Sequence, residues 1–263
     1  MNVSLKLPSL PVWSAKWDTQ HLRDEAEVNP RSFERGFRQM AFTDSERKFP
    51  SFETCFTPGL VLGDIARRGW PTYAGVDLAG EKRPGNVIFA AAVDPTTLRR
   101  YPLEVRRGNW KSPEVCAELA GVNARHPGLR VIMVENNGYQ QSLVDWIRQS
   151  PGDNAFWYKV ESYTTGFQTK VNPIYGLPGM EVEFKNKLWV IPSSEFEGHP
   201  AHCQCGWCVW KMEIHDYPMA ATSDCVMAMA FCREAISLWE TGKTVGVGGT
   251  AGGPGLGLGF NSR

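Results

Sequence analysis

The chain has 263 residues, with 28 Lys plus Arg balanced by 28 Asp plus Glu, so no net charge marks it for a polyanionic partner and any nucleic-acid contact must be local. A hydrophobic content of 42% and 10 Trp suffice for one sizeable core, which excludes a disordered or collagen-like chain. No run approaches the roughly 18 apolar residues of a membrane span, and the opening MNVSLKLPSLPVW lacks a continuous signal-peptide stretch, so the composition reads as cytosolic, with no membrane partner.

Residues 1 to about 70 scatter Trp13, Trp17, Phe33, Phe37, Phe49, Phe52 and Phe56 among charges, and read as an N-terminal arm with one or two short helices that packs on another surface. Asp18 or Thr19 is placed to cap a helix through His21, Leu22 and Glu25, which Asn29-Pro30 would end. From Tyr73 the pattern becomes that of an α/β domain. TYAGVDLAG, Asn86 to Val93, and LRRYPLEVRRG after the Asp94-Pro95 turn predict a three-stranded antiparallel meander. Ser112 before Pro113, followed by Val115, Leu119 and Val122 at helical spacing, predicts a helix capped by Ser112. Leu129 to Asn136 (LRVIMVEN) is short, apolar and β-branched, a buried strand with Glu135 at its carboxyl end. A helix over about Tyr139 to Arg148, a strand at FWYKVESY, a turn-rich stretch at Thr164, Thr165 and Gly166, a hairpin over 181–192 (EVEFKNKLWVIP) and a long apolar helix over 220–240, with Ser223 near its start, complete the pattern. This order predicts a mixed central sheet flanked by helices over 71–240. Residues 241–263 are too glycine-rich to bury surface and predict a flexible tail.

Three carboxylates stand out: Asp77 inside an apolar strand, Glu135 at the end of a buried one, and Asp224 in the first turn of an apolar helix. Each alone has an ordinary reading, as a turn cap, an acid beyond a strand tip, or a partner of the helix dipole. If the first strand neighbours LRVIMVEN they form a cluster, and clustered like charges are costly unless a cation neutralises them. Hard divalent ions take such oxygen ligands, and two ions about 3.5–4 Å apart are the usual device for in-line phosphodiester hydrolysis.

The motifs YAGVDLAG, VIMVENNGYQQSLVDWI, TTGFQTK, KLWVIP, MEIHDYP and TSDCVMAMAFCREAI, in this order, resemble the nuclease domain of the large terminase subunit of tailed bacteriophages over about residues 10–240. The resemblance implies a ribonuclease-H-like fold and a metal-dependent endonuclease that cuts concatemeric viral DNA during packaging. It implies two Mg²⁺ or Mn²⁺ ions, with Asp77 bridging both, Glu135 as the second ligand and Asp224 as the third, and with Mn²⁺ supporting cutting at least as well as Mg²⁺. Lys170 falls where the family tends to keep a lysine near DNA phosphate or the reacting centre, its other reading being a solvated side chain. The sequence departs from the pattern at Ser223, where many relatives carry a second acid beside Asp224, and at Asn86, which implies weaker binding of the second ion. Implied partners are double-stranded DNA, the motor ATPase, the small terminase subunit and the portal, in the cytoplasm of an infected bacterial host. The motor itself is not expected on this chain: Gly242-Lys243-Thr244 has Ser237 where a phosphate loop needs its first glycine, so no ATP hydrolysis is expected, and the chain reads as an isolated nuclease domain or a separately encoded nuclease subunit. Rival readings are a Holliday-junction-resolvase-like nuclease of the same fold and a non-catalytic assembly module of the packaging machine.

Two further features remain. HPAHCQCGWCVW gathers His199, His202, Cys203, Cys205 and Cys208, with one C-x-x-C pair, and reads either as a structural zinc site or as reduced thiols in a hairpin loop, a disulfide being less expected in the cytosol. RRYPLEVRRGNWK places Arg99, Arg100, Arg106, Arg107 and Lys111 around Tyr101 and Trp110, either a strip that tracks DNA phosphates or a solvated strand edge.

Overall fold

In the computed structural model the described residues are 18–28, 33, 47–78, 85–135, 156–163, 176–200 and 203–240. The expected helix over 139–148, the stretch around Thr164 to Lys170, His202 and the tail over 241–263 lie outside them.

The apolar runs picked out by composition form one five-stranded sheet. Its strands are β2 (Thr72–Asp77), β3 (Asn86–Val93), β4 (Arg100–Gly108), β5 (Leu129–Glu135) and β6 (Val160–Tyr163), in the spatial order β4-β3-β2-β5-β6. The meander is antiparallel as predicted, whereas β5 runs parallel to β2 and β6 parallel to β5, so the sheet is mixed. A short parallel pair, β1 (Phe56–Thr57) with β7 (Ile191–Pro192), stands apart from it. Pro102 sits in β4, an edge strand, beside the register shift at Ala90/Ala91, a place where a missing N–H breaks no ladder.

Strand alternation divides the sheet into two faces. Ala74, Val76, Ile88, Ala90, Ile132 and Val134 face α3 (Ser112–Arg125), which buries Val115, Leu119 and Val122 at the predicted spacing. Tyr73, Val87, Phe89, Val105 and Met133 face α4 (Leu177–Lys185), α5 (Gly206–Asp216) and α6 (Asp224–Glu240). Phe49, Phe52 and Cys55, just before β1, belong to this second core, and Ile65 of α2 (Leu62–Arg67) packs with Ala92 and Leu103 in a small separate cluster. The result is the mixed α/β architecture, a central sheet flanked by helices, that the sequence implies. At the amino end, α1 (Thr19–Val28) is capped by Asp18, whose carboxylate accepts from the His21 amide at 2.8 Å. No helix among the described residues is long and apolar enough to cross a membrane.

Three local expectations are corrected. Ser112 is the first helical residue rather than the cap: Lys111 precedes the helix, and its amide donates to the Glu114 carboxylate at 2.8 Å. Only Val160–Tyr163 of FWYKVESY is strand, because Trp157–Lys159 forms a 3₁₀ turn that buries Phe156. The hairpin over 181–192 is instead the second half of α4, a turn and β7. A strand alternation would put Val182 in and Glu183 out, yet Val182 is 55% exposed and Glu183 is buried, because Leu177, Met180 and Phe184 follow a helical stripe in a helix with Pro178 in its first turn.

Glu183 is the centre of a buried ion network. Its carboxylate accepts from Trp189 Nε1 at 2.8 Å and Arg233 Nε at 2.5 Å, and it pairs with Arg100, whose guanidinium also lies 5.6 Å from the centre of the Trp189 ring. The network joins α4, α6 and β4 across the second core. Arg100 therefore leaves the predicted phosphate strip: it is buried, and its backbone bonds to Leu188 and Val190 seal the end of the β4 edge. Replacing Glu183 with Ala strands two buried guanidinium groups, and should cost about 3–5 kcal/mol in urea unfolding, against under about 1 kcal/mol for an exposed acid such as Glu197.

Beside this network, burial pushes the Glu234 carboxyl up to about 6, against the pull of Arg233 and from an ordinary value of 4.5. The folded state thus holds this proton more tightly than the unfolded chain, and the stability that goes with it is full below pH 4.5 and is lost as pH rises to about 6. Relative to wild type, Glu234→Gln should gain roughly 2 kcal/mol across that window, at about 1.4 kcal/mol for each unit of pKa, read by urea unfolding at a series of pH values.

Candidate functional site

Two of the three acids, Asp77 and Glu135, share one end of the sheet. Val76 pairs with Val134, so Asp77 and Glu135 are the next residues on adjacent parallel strands, at a strand spacing of about 4.8 Å. Both share the parity of the α6 face, Asp77 with Tyr73 and Gly75, Glu135 with Met133. Glu135 is buried at 5% exposure, which sets aside the reading of a solvated acid beyond a strand tip.

Asp224 is delivered by α6. A Cβ on Gly75 would lie 2.1 Å from both Ala228 O and Cys232 N, so the helix backbone rests directly on the strand backbone with no side chain between them. Cys232 Sγ donates to Tyr73 O at 3.3 Å. The crossing thus sets Tyr73 beside Cys232 and Gly75 against both Ala228 and Cys232. From there α6 runs back toward its start at Asp224 in the direction of the Asp77 end of β2. On its other side the Asp224 carboxylate lies against Gly85, where a Cβ would meet Oδ2 at 2.9 Å, at the entry to β3 and opposite the end of β2.

The ordinary role for an acid at this helix start is already filled. Glu213 of α5, with no exposed surface, accepts from the amides of Cys225 at 2.7 Å and Val226 at 3.3 Å and from Thr222 Oγ1 at 2.5 Å. It caps α6 from a neighbouring helix. Burial raises the Glu213 carboxyl above the usual range against those three donors, and the charge of Asp224 adds to the rise. Glu213 is a functional residue that the sequence reading missed. Its signal was its place on a buried stripe with Val209, Trp210 and Ile214.

Three hard oxygen donors on two strand ends and one helix start suit divalent cations such as Mg²⁺ or Mn²⁺, and their mutual repulsion is what such an ion would offset. Asn86, where the resemblance places an acid, belongs to the opposite face with Ile88 and donates to Trp110 O at 2.7 Å. Lys170 lies outside the described residues.

The predicted basic strip divides by strand parity. Arg106 turns to the α3 face and pairs with Glu118 at 2.7 Å, Lys111 is exposed before α3, and Arg99 is exposed before β4. Arg107 pairs in register with Val87, itself opposite Asp77, and shares the acid-bearing face with Val105. Its charge is felt at Cys225, beside Asp224, and its Nε is buried with no hydrogen-bond partner among the described residues.

A second cluster lies at the start of α5. His199 Nδ1 is 3.1 Å from Cys208 Sγ, 3.4 Å from Cys205 Sγ and 3.5 Å from Cys203 Sγ, and the four ligand atoms all lie within 4.8 Å of one another. The surroundings are a loop leading into a helix, not a hairpin. The thiols perturb one another: the Cys205 amide helps hold Cys203 down to about 7, while burial and the neighbouring sulfurs push Cys208 up to about 12.

No protein-family model and no curated protein matches the sequence. Among solved structures, the chain is similar to the large terminase nuclease from thermophilic phage G20c, at 10% identity and a TM-score of 0.40 over 62% of this chain and 81% of that one. It is similar to the human cytomegalovirus terminase nuclease domain, Mn-soaked and inhibitor-bound, at 13% identity and 0.43 over 64% and 82%. It is also similar to the nuclease domain of the bacteriophage SPP1 large terminase with bound Mn, at 14% identity and 0.35 over 51% and 79%.

The bare contact under α6 gives a direct test. Gly75→Ala inserts a methyl group into two backbone atoms that cannot swing aside, so it should displace α6 and destabilise by about 3 kcal/mol or more in chemical unfolding.

Proposed function

We propose that this chain is a divalent-metal-dependent endonuclease that cuts viral DNA during genome packaging. The observation that supports the reading is the pair Asp77 and Glu135 at the ends of adjacent parallel strands, with Asp224 at the start of α6 against Gly85, which leads into β3 opposite the end of β2. The ordered motifs that resemble terminase nucleases support the packaging role.

On this reading Asp77 and Glu135, fixed on neighbouring strands, and Asp224, fixed by the helix crossing, hold Mg²⁺ or Mn²⁺ through carboxylate oxygens. Bound there, such ions activate water and stabilise the leaving 3′ oxygen of a phosphodiester. Glu213 acts as a positioning residue that keeps the first turn of α6, and hence Asp224, in place. Arg107 receives a DNA phosphate oxygen on the acid-bearing face, giving contacts that are sequence-independent and weaken with salt. The partners in this role are double-stranded DNA, a packaging motor, the small terminase subunit and the portal, within the host cytoplasm.

Supercoiled-plasmid nicking by the purified protein with Mn²⁺, Mg²⁺ or EDTA checks the reading. Cutting is expected with Mn²⁺ at least as fast as with Mg²⁺ and none in EDTA, and Asp77→Asn, Glu135→Gln and Asp224→Asn should each lower it by about 10²-fold or more while the protein stays folded. Nicking that survives all three substitutions would sink the assignment. So would a wild type that cuts under no divalent ion even with the packaging motor present.

A further inference from the structure

We infer that His199, Cys203, Cys205 and Cys208 bind one Zn²⁺ ion, and that this ion is a staple holding α5 in register beneath the start of α6. Occupancy of the site does not depend on the nuclease reading; only its coupling to Asp224 does.

The ligand geometry carries the inference. A tetrahedral zinc with Zn–S near 2.3 Å and Zn–N near 2.05 Å separates its ligand atoms by about 3.6–3.8 Å. The three N–S separations of 3.1–3.5 Å fall a few tenths of an ångström short of that, with all four atoms within 4.8 Å. Small side-chain adjustments, spreading the imidazole from the sulfurs and drawing the sulfurs together, therefore suffice to reach tetrahedral geometry. The donor set of three sulfurs and one imidazole nitrogen suits zinc and not the hard ions of the acid cluster. Two sulfurs also accept backbone amides, Cys203 from Cys205 N and Cys205 from Cys208 N, each at 3.5 Å, the outer contacts that stabilise metal-bound thiolates. Five candidate ligands stood in the sequence, and among the described residues the geometry gathers His199, through Nδ1, with the three cysteines.

The consequence of binding follows from what α5 touches. Gly206, between Cys205 and Cys208, rests on β4 so closely that a Cβ would lie 1.9 Å from Val105 O. The zinc loop thus pins the first turn of α5 to the sheet. Trp207 packs edge-on against Phe196 and Trp210, closing the loop from the apolar side. Farther along the same helix, Glu213 caps α6. Losing the ion frees the start of α5 and loosens the placement of Glu213 and Asp224, while Asp77 and Glu135 stay fixed by strand pairing.

The test is metal analysis of the full chain purified without chelator from zinc-containing medium. About one zinc per chain is expected, falling to near zero in Cys208→Ser and His199→Ala and unchanged in His202→Ala. Exchange of the wild type into Co²⁺ should give the intense ligand-field bands of a tetrahedral site together with thiolate charge-transfer absorption, a readout that needs no variant to fold. Asp77→Asn should keep its zinc, separating this site from the acid cluster, and stripping the zinc should lower both the thermal midpoint and any nicking rate. A metal-free wild type with an octahedral, thiolate-free cobalt spectrum would overturn the site. So would a Cys205–Cys208 disulfide in protein purified without reductant. Loss of zinc in His202→Ala with retention in His199→Ala would overturn the ligand assignment.

Discussion

The contact on which the rest of the structure depends is the bare backbone of Gly75 beneath α6. With no side chain between them, strand and helix meet at a fixed separation, with Tyr73 beside Cys232 and Gly75 against Ala228 and Cys232. That crossing fixes where the start of α6, and with it Asp224, lies relative to β2. A larger residue at 75 would lift the helix, and the acid cluster would open by whatever the helix moved. The second core, with Phe89, Trp189 and Trp210 fully buried around this crossing, has been built to the height that a glycine permits.

Two kinds of buried acid flank that contact, and their chemistry separates structure from function. Glu183 is surrounded by cations and an indole N–H, and Glu213 by two amides and a hydroxyl. Both have donors enough for their oxygens, as buried carboxylates need. Asp77, Glu135 and Asp224 belong to three different elements, and the proposed site draws on all three. Glu213 serves that site indirectly, by capping the helix that carries Asp224.

The sheet was largely legible in the sequence because its signals are local. β3 occupies the predicted span and β5 ends at the predicted acid, since apolar, β-branched runs bounded by charge have few other structures open to them. The three acids were visible for the complementary reason, as charges placed where apolar residues belong. What failed was decided by distant partners. EVEFKNK alternates like a strand, but Glu183 is buried by Arg100 and Arg233, residues far off in sequence, and no window around residue 183 contains them. Arg100 looked like one more member of a basic strip for the same reason. The imidazole and thiols before α5 were legible as a composition, while the gathering of His199 with the three cysteines needed three-dimensional distances.

The α6 crossing also sets an order of events during synthesis. The meander and α3 are close in sequence and assemble from local contacts, and β5 completes the Asp77–Glu135 pair soon afterwards. The third acid lies on the last described helix, so nearly all of the described chain must leave the ribosome before Asp224 arrives. A nascent or truncated chain thus carries two of the three carboxylates and no complete cluster. The placement of Asp224 is therefore among the last steps of assembly, set by the topology rather than by any local signal.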